Sequence, residues 1–439
     1  MWLNKPKISL GDYTYLLYPV ISLVTIAILS CRIASTRHSH SWHRVPSPWS
    51  TVVSFGDNFS DSGNGAHITG GKYPSEPWFW HHRFTNGPNW VDNLILDLGG
   101  LGKIKMRNFA HGGASSDNAL WPGALLGHPI PGTHQQVRGF IAKSRKTGYA
   151  ASDRTLYTLW TGANDCLALG KAGGFGAGRN FQVDDVIESI YQDILQMERE
   201  SHNQVTQVVV LTPPPVEDMP LVRHESPDVQ RAVRAASQKL TRDLPHGLLE
   251  RFSRIGHTEF TDSIRQGPLE APHQLPNHRK RVSSPITHYL SVSLPQDYNH
   301  LLPHEHNGTH HQPFHPVPRV HKRSPPNTHR LQIMVYDAYH FIKHAQTNPV
   351  CFGFDPHAVN QTCGDRKTCY DRVWLDDSNI NTAVHYWMAR DINVRLHMWH
   401  LHTAGASINS MFKNSTRARE LELEMLGYAC PMKPAPTSF

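Results

Sequence analysis

Net charge is scarce in this chain: 43 Lys and Arg against 36 Asp and Glu leave +7 over 439 residues. No predicted helix gathers the basic excess, so a nucleic-acid-binding surface has no support. Cysteine is scarce too, with six residues whose spacing does not resemble a zinc site. Aliphatic residues thin out between Gly267 and His329, a stretch crowded with His and Pro. Such a segment buries too little apolar surface to offset the entropy of ordering, so 267–329 reads as a disordered surface insertion. Its His304, His306, His310, His311 and His315 have no fixed spacing, which argues against a functional metal centre. No metal and no cofactor is expected.

What the chain does have begins with an apolar run. Residues 13–31 carry no charge, after Lys5 and Lys7 and before Arg32 and Arg37. The run is intermediate in length between a signal-peptide core and a membrane span, and its flanking charges leave open a cleaved signal or an uncleaved anchor. N-x-S/T acceptor sequences at Asn307, Asn360 and Asn414, together with the cysteines, favour the secretory route. Residues 1–48 are therefore expected to be a signal or signal-anchor segment with a short linker, and 49–439 a single domain. That domain would be secreted, or membrane-anchored with its bulk lumenal. The basic runs Arg279-Lys280-Arg281 and Lys322-Arg323, near the two ends of the insertion, are candidate processing sites.

Within 49–439, strand-like apolar runs alternate with helical periodicity, the pattern of βα units on a parallel sheet. Thr51–Phe55, Thr155–Trp160, Val205–Thr212 and Leu331–Asp337 read as strands. Val183, Ile187, Ile190, Ile194 and Met197 recur at spacings of four and three, one apolar stripe facing the sheet. Ser226 before Pro227 predicts a helix start, and the segment 226–254 is expected to break at Pro245. A final helix is expected over 381–396.

Five blocks occur in a telling order. Phe55-Gly56-Asp57-Asn58-Phe59-Ser60-Asp61-Ser62-Gly63-Asn64 follows the first strand, and Arg83-Phe84-Thr85-Asn86-Gly87-Pro88-Asn89-Trp90-Val91-Asp92 comes next. Then come Asn108-Phe109-Ala110-His111-Gly112-Gly113-Ala114 and Trp160-Thr161-Gly162-Ala163-Asn164-Asp165. Near the end stands Trp374-Leu375-Asp376-Asp377-Ser378-Asn379-Ile380-Asn381-Thr382-Ala383-Val384-His385. In this order the blocks resemble those of the GDSL, or SGNH, ester hydrolases, most of all the fungal and plant branch that includes carbohydrate acetylesterases. The resemblance implies an α/β fold: a three-layer α/β/α sandwich with a mostly parallel, flavodoxin-like central sheet. It also implies ester, acyl or acetylated-glycan ligands, oxyanion donors at Gly113 and Asn164, and an orienting carboxylate at Asp376. Fungal and plant relatives carry cysteines before the last block, so a disulfide is expected among Cys351, Cys363 and Cys369, its partners open.

Two letters depart from the family's pattern. Asn58 stands at the position of the nucleophilic serine, and Asn379 at that of the basic histidine. Acyl transfer of this kind needs a hydroxyl whose proton passes to an imidazole and later to the leaving group. A carboxamide has no such hydroxyl and no pKa near neutrality, so it serves neither role. In a well-studied protease, loss of either group costs roughly a millionfold and loss of both little more. Ser60 and His385 are the nearest substitutes in sequence, each with a structural reading beside it: a turn-capping hydroxyl, and a histidine that family members often carry on the following helix. Asn58-Phe59-Ser60 is also an acceptor sequence for glycosylation. The sequence thus points to a GDSL-type homologue impaired as an enzyme. The alternatives are an esterase working through substitute groups and a non-catalytic glycan- or lipid-binding surface protein.

Overall fold

The computed structural model describes residues 47–147, 154–172, 181–201, 205–262, 287–294, 329–364 and 368–403. The chain divides into two compact units, Met1–Ser47 and Pro48–Phe439, and the second holds every strand and helix described. Among the described residues no helix is long and apolar enough to cross a membrane. Residues 13–31, on which the anchor expectation falls, lie outside them, as do Asn307 and Asn414 and both basic runs.

Among the described residues there are nine strands: β1 (Thr51–Gly56), β2 (Lys105–Asn108), β3 (Gly123–Leu125), β4 (His128–Ile130), β5 (Thr155–Trp160), β6 (Val205–Leu211), β7 (His257–Asp262), β8 (His288–Leu294) and β9 (His329–Tyr336). β3 and β4 form a hairpin, and the other seven form one sheet in the order β2-β1-β5-β6-β9-β8-β7. β2, β1, β5, β6 and β9 run parallel, while β8 is antiparallel to β9 and to β7. The parallel strands thus follow the flavodoxin-like order, with the chain reversing its direction of travel at β1. β1 and β5 are buried at all six positions, which fits a parallel sheet covered on both faces and explains their unbroken apolar runs.

The helices flank this sheet. Among the described residues, those of five residues or more are α1 (Asn64–Ile68), α2 (Trp90–Leu98), α3 (Thr133–Thr147), α4 (Ala163–Ala172), α5 (Val183–Ser201), α6 (Pro227–Ser253), α7 (Ala338–Thr347) and α8 (Thr382–Thr403). α2 and α7 pack with α8; α3, α4, α5 and α6 pack with one another. The stripe Val183, Ile187, Ile190, Ile194 and Met197 on α5 is buried. At the expected strand ends the differences are small: β6 stops at Leu211, and β9 stops before Asp337, whose side chain instead accepts the N–H of His340 to cap α7.

Two expectations are corrected. α6 starts after Ser226, whose hydroxyl accepts the N–H of Val229, but continues through Pro245 without a break. Proline inside a helix costs about 3 kcal/mol. Beyond it, Leu248 and Phe252 are fully buried, and burying two such side chains contributes about 3–6 kcal/mol, enough to hold the helix together. The second correction concerns the stretch 267–329. Its residues 288–294 form β8, and His329 opens β9. Leu290, Val292 and Leu294 alternate along β8 into the core, a one-sided apolar face that sheet pairing on both edges stabilises. The five His between 304 and 315 lie outside the described residues.

Cys363 is bonded to Cys369, so the expected disulfide pairs these two. Cys351 is disulfide-bonded as well, and Cys166 is a buried free thiol.

Candidate active site

The turn after β1 is fixed before any functional side chain is placed. Gly56 has φ 137, and a Cβ there would lie 2.1 Å from the carbonyl oxygen of Trp160 at the end of β5, so only glycine lets the two strands close up. The side-chain amide of Gln136 on α3 grips the same residue: its Oε1 accepts the Gly56 N–H and its Nε2 donates to the Gly56 carbonyl, both at 2.9 Å. Asp57 follows, fully buried, and burial holds its carboxyl well above the usual carboxylate range. The carboxylate of Asp61 then gathers four backbone N–H groups, those of Gly63 (2.7 Å), Asn64 (2.7 Å), Gly65 (2.8 Å) and Gly112 (2.7 Å). The last of these ties the β1 turn to the loop after β2. Asn108 Nδ2 donates to the Ser60 carbonyl (2.7 Å) and Asn64 Nδ2 to the Ala110 carbonyl (2.8 Å), doubling that tie.

Asn58 emerges half-buried from this turn. Its Oδ1 accepts the Gly113 N–H at 3.1 Å, and its Nδ2 donates to Asn379 Oδ1 at 3.0 Å. Asn379, fully buried, donates its own Nδ2 to both carboxylate oxygens of Asp376, at 3.0 and 3.1 Å. Asp376 Oδ1 also accepts the N–H groups of Ser378 (2.9 Å) and Asn379 (2.8 Å), which brace the loop. The orientation of both amides follows from the two ends of this chain. A carboxylate only accepts and a backbone N–H only donates, so Asn379 must turn its NH2 to Asp376 and Asn58 its oxygen to Gly113. What remains between them is a donor facing an acceptor. The bonds run in the same direction, donor toward Asp376, as they would from a serine hydroxyl through an imidazole.

Gly113 has φ 81, and a Cβ would meet the Ala124 carbonyl oxygen at 2.4 Å, which fixes the loop conformation that turns its N–H toward Asn58. Asn164, at the start of α4, donates Nδ2 to the Ala114 carbonyl at 2.7 Å and so secures the loop next to Gly113. Its neighbour Asp165 accepts the N–H and hydroxyl of Ser116 at 2.9 and 2.6 Å, and burial pushes its carboxyl up to about 6.

The structure therefore brings Asn58, Asn379, Asp376 and Gly113 into one hydrogen-bonded set, with Asn164 one residue away through Ala114. Ser60 and His385 are not in it. Ser60 is fully buried and its hydroxyl accepts the indole N–H of Trp90 at 3.0 Å. His385, on α8, is buried edge-on to Trp160 with 6.3 Å between ring centroids, and burial pulls its imidazole down to about 3. Burial of Ser60 also leaves the acceptor sequence at Asn58 closed within the fold, whereas Asn360 is exposed. Gln136 and the fourfold role of Asp61 are additions; Asp61 lies within a recognised block, but nothing in the pattern of α3 marks Gln136. Among the described residues no group of three His, Cys, Asp or Glu is placed to hold a metal ion.

Residues 52–261 match the family model described as GDSL-like lipase/acylhydrolase. The match takes in Asn58, Gly113 and Asn164, while Asp376 and Asn379 lie beyond it, and it supports the GDSL family of ester hydrolases. Among curated proteins, a phosphatidylcholine-sterol acyltransferase of Aeromonas hydrophila is 33% identical over 126 residues, 28% of this chain and 34% of that one. A thermolabile hemolysin of Vibrio parahaemolyticus is 27% identical over 123 residues, covering 28% of this chain and 27% of its own. The chain thus spans about a third of the length of the curated relatives it matches. Among solved structures, the M. smegmatis aryl esterase shares 14% identity at a TM-score of 0.30, over 46% of this chain and 80% of that one. Phospholipase A1 of Streptomyces albidoflavus shares 15% at 0.24, over 46% and 76%.

Proposed function

We propose that this chain is a secretory-pathway homologue of the GDSL ester hydrolases that has lost turnover and retains the site as a place to hold an ester, acyl or acetylated-glycan ligand. The Asn58 to Asn379 hydrogen bond carries this reading, because it fills the contact where proton transfer from nucleophile to base would take place. Neither carboxamide gains or loses a proton near neutrality, so the general-base step has no agent. Asp376 and Gly113 keep contacts an acyl-transfer site would use, and such residual elements supply at most a small acceleration. The fungal and plant resemblance favours an acetylated polysaccharide as ligand. The uncharged run 13–31 and the exposed acceptor Asn360 favour a lumenal or extracellular location, with or without an anchor.

Hydrolysis of a nitrophenyl acetate tests the proposal, with wild type run beside Asn58→Ser plus Asn379→His. The expected result is background turnover in wild type and a gain of at least a hundredfold in the double variant. Wild-type turnover that disappears in Ser60→Ala would establish an active esterase instead.

A further inference from the structure

We infer that the Asn58 side chain is a built-in occupant of the oxyanion site, and that the space it fills is selective for a primary carboxamide. Gly113 counts as an oxyanion donor only on the reading above; the selectivity itself follows from the polarity of the two groups facing Asn58. On one side the Gly113 N–H, 3.1 Å away, requires an acceptor. On the other, Asn379 Oδ1, 3.0 Å away, requires a donor. Asn379 is not free to turn over, because its NH2 is committed to the Asp376 carboxylate at 3.0 and 3.1 Å.

An occupant must therefore present an oxygen and an N–H on one small planar group. An ester carbonyl satisfies Gly113 but leaves Asn379 Oδ1 facing an oxygen or a carbon. A carboxylate sets acceptor against acceptor, with Asn379 fully buried and little water to relieve the mismatch. A primary amide meets both demands, and Asn58 is such an amide tethered by one methylene. Any ester entering the site must first displace it from Gly113. The ester, acyl or acetylated-glycan ligand proposed above is therefore held only once Asn58 has swung aside, and this contact acts as an autoinhibitory one.

Removing the tether should leave a site for the free molecule. Asparagine is glycine plus acetamide, so in the full-length chain Asn58→Gly should bind acetamide saturably and be stabilised by it. At ten times its dissociation constant acetamide should raise the unfolding midpoint by about 2 °C. Acetate and N,N-dimethylacetamide should do neither, and wild type should respond to none of the three. Indifference of the variant to acetamide, an equal response to acetate, or an equal shift in wild type would each overturn the inference. Should Asn58→Gly not fold, hydrogen exchange at the Gly113 amide decides. It should be protected in wild type and at least tenfold faster in Asn58→Ser, and equal rates would overturn the inference. Nitrophenyl acetate turnover by wild type would remove the proposed function yet leave these readouts standing, so the two can fail separately.

Discussion

A carboxamide carries a donor and an acceptor on one plane, which lets two of them span the distance between a backbone N–H and a carboxylate without leaving either unpaired. At Asn58 and Asn379 this property matters more than helix or turn preference. A neutral hydrogen bond contributes about 1 kcal/mol net, and one to a charged group about 1.5–3 kcal/mol, so the Asn379 to Asp376 contact is the stronger member of the set. Asn379→Asp should replace it with two carboxylates in contact, lowering stability at pH 7.5 by roughly 3 kcal/mol or more. Repulsion raises the folded-state pKa of one of the pair above its unfolded value, so the stabilising protonated form is present at low pH and lost as pH rises. The urea midpoint of Asn379→Asp should therefore recover markedly on going from pH 7.5 to pH 5; a pH-independent deficit would argue against the contact.

At the scale of elements, the strands that the sequence displays are those with unbroken apolar runs, because a parallel sheet buried on both faces leaves no polar alternation to confuse with a helix. β1, β5 and β6 are legible for this reason. β8 is not: its alternating Leu290, Val292 and Leu294 are diluted among the prolines and histidines of the surrounding stretch, and its partner β7 is an antiparallel strand outside the parallel series. Pro245 misleads in the opposite sense, since a local rule for helix breaking is overridden by burial of Leu248 and Phe252 on the far side. Both matters turn on tertiary packing. Leu290→Ala and Val292→Ala should each lower the unfolding free energy by about 2–4 kcal/mol if β8 is a core strand, whereas residues in an unpacked insertion would tolerate the change. Denaturant unfolding of the two variants separates these outcomes.

For the whole molecule, the site was legible as an ordered set of blocks and illegible as a contact. Asn58 and Asn379 are 321 residues apart, and only the sheet, with β1 and β5 side by side and the loop before α8 folded over them, brings the carboxamides together. Gln136 is illegible in the sequence because a buried glutamine on an otherwise ordinary helix has no sequence signature. Burial of ionisable groups in this core also sets the acid response of the fold. His385 is held down to about 3 by burial, below its ordinary value near 6.5. Its contribution to stability is present above that ordinary value and lost as pH falls toward the folded one, at about 1.4 kcal/mol per pH unit. Asp165, pushed up to about 6, works against this loss over part of the same range. Replacing the imidazole alone should therefore expose the slope: His385→Phe should lose less stability than wild type between pH 7 and pH 5, measured by urea unfolding at each pH. Equal losses would show that the imidazole is protonated in the folded state.

The direction of the bonds through Asn58 and Asn379 bears on ancestry as well as chemistry. With serine at 58 and asparagine at 379, a hydroxyl still donates to Oδ1; with asparagine at 58 and histidine at 379, Nδ2 still donates to a ring nitrogen. Either intermediate keeps its donor facing an acceptor, and each exchange is a single-base change in the genetic code. Exchange between a serine–histidine pair and the present pair, in either order and either direction, therefore never sets two donors or two acceptors against each other at this contact.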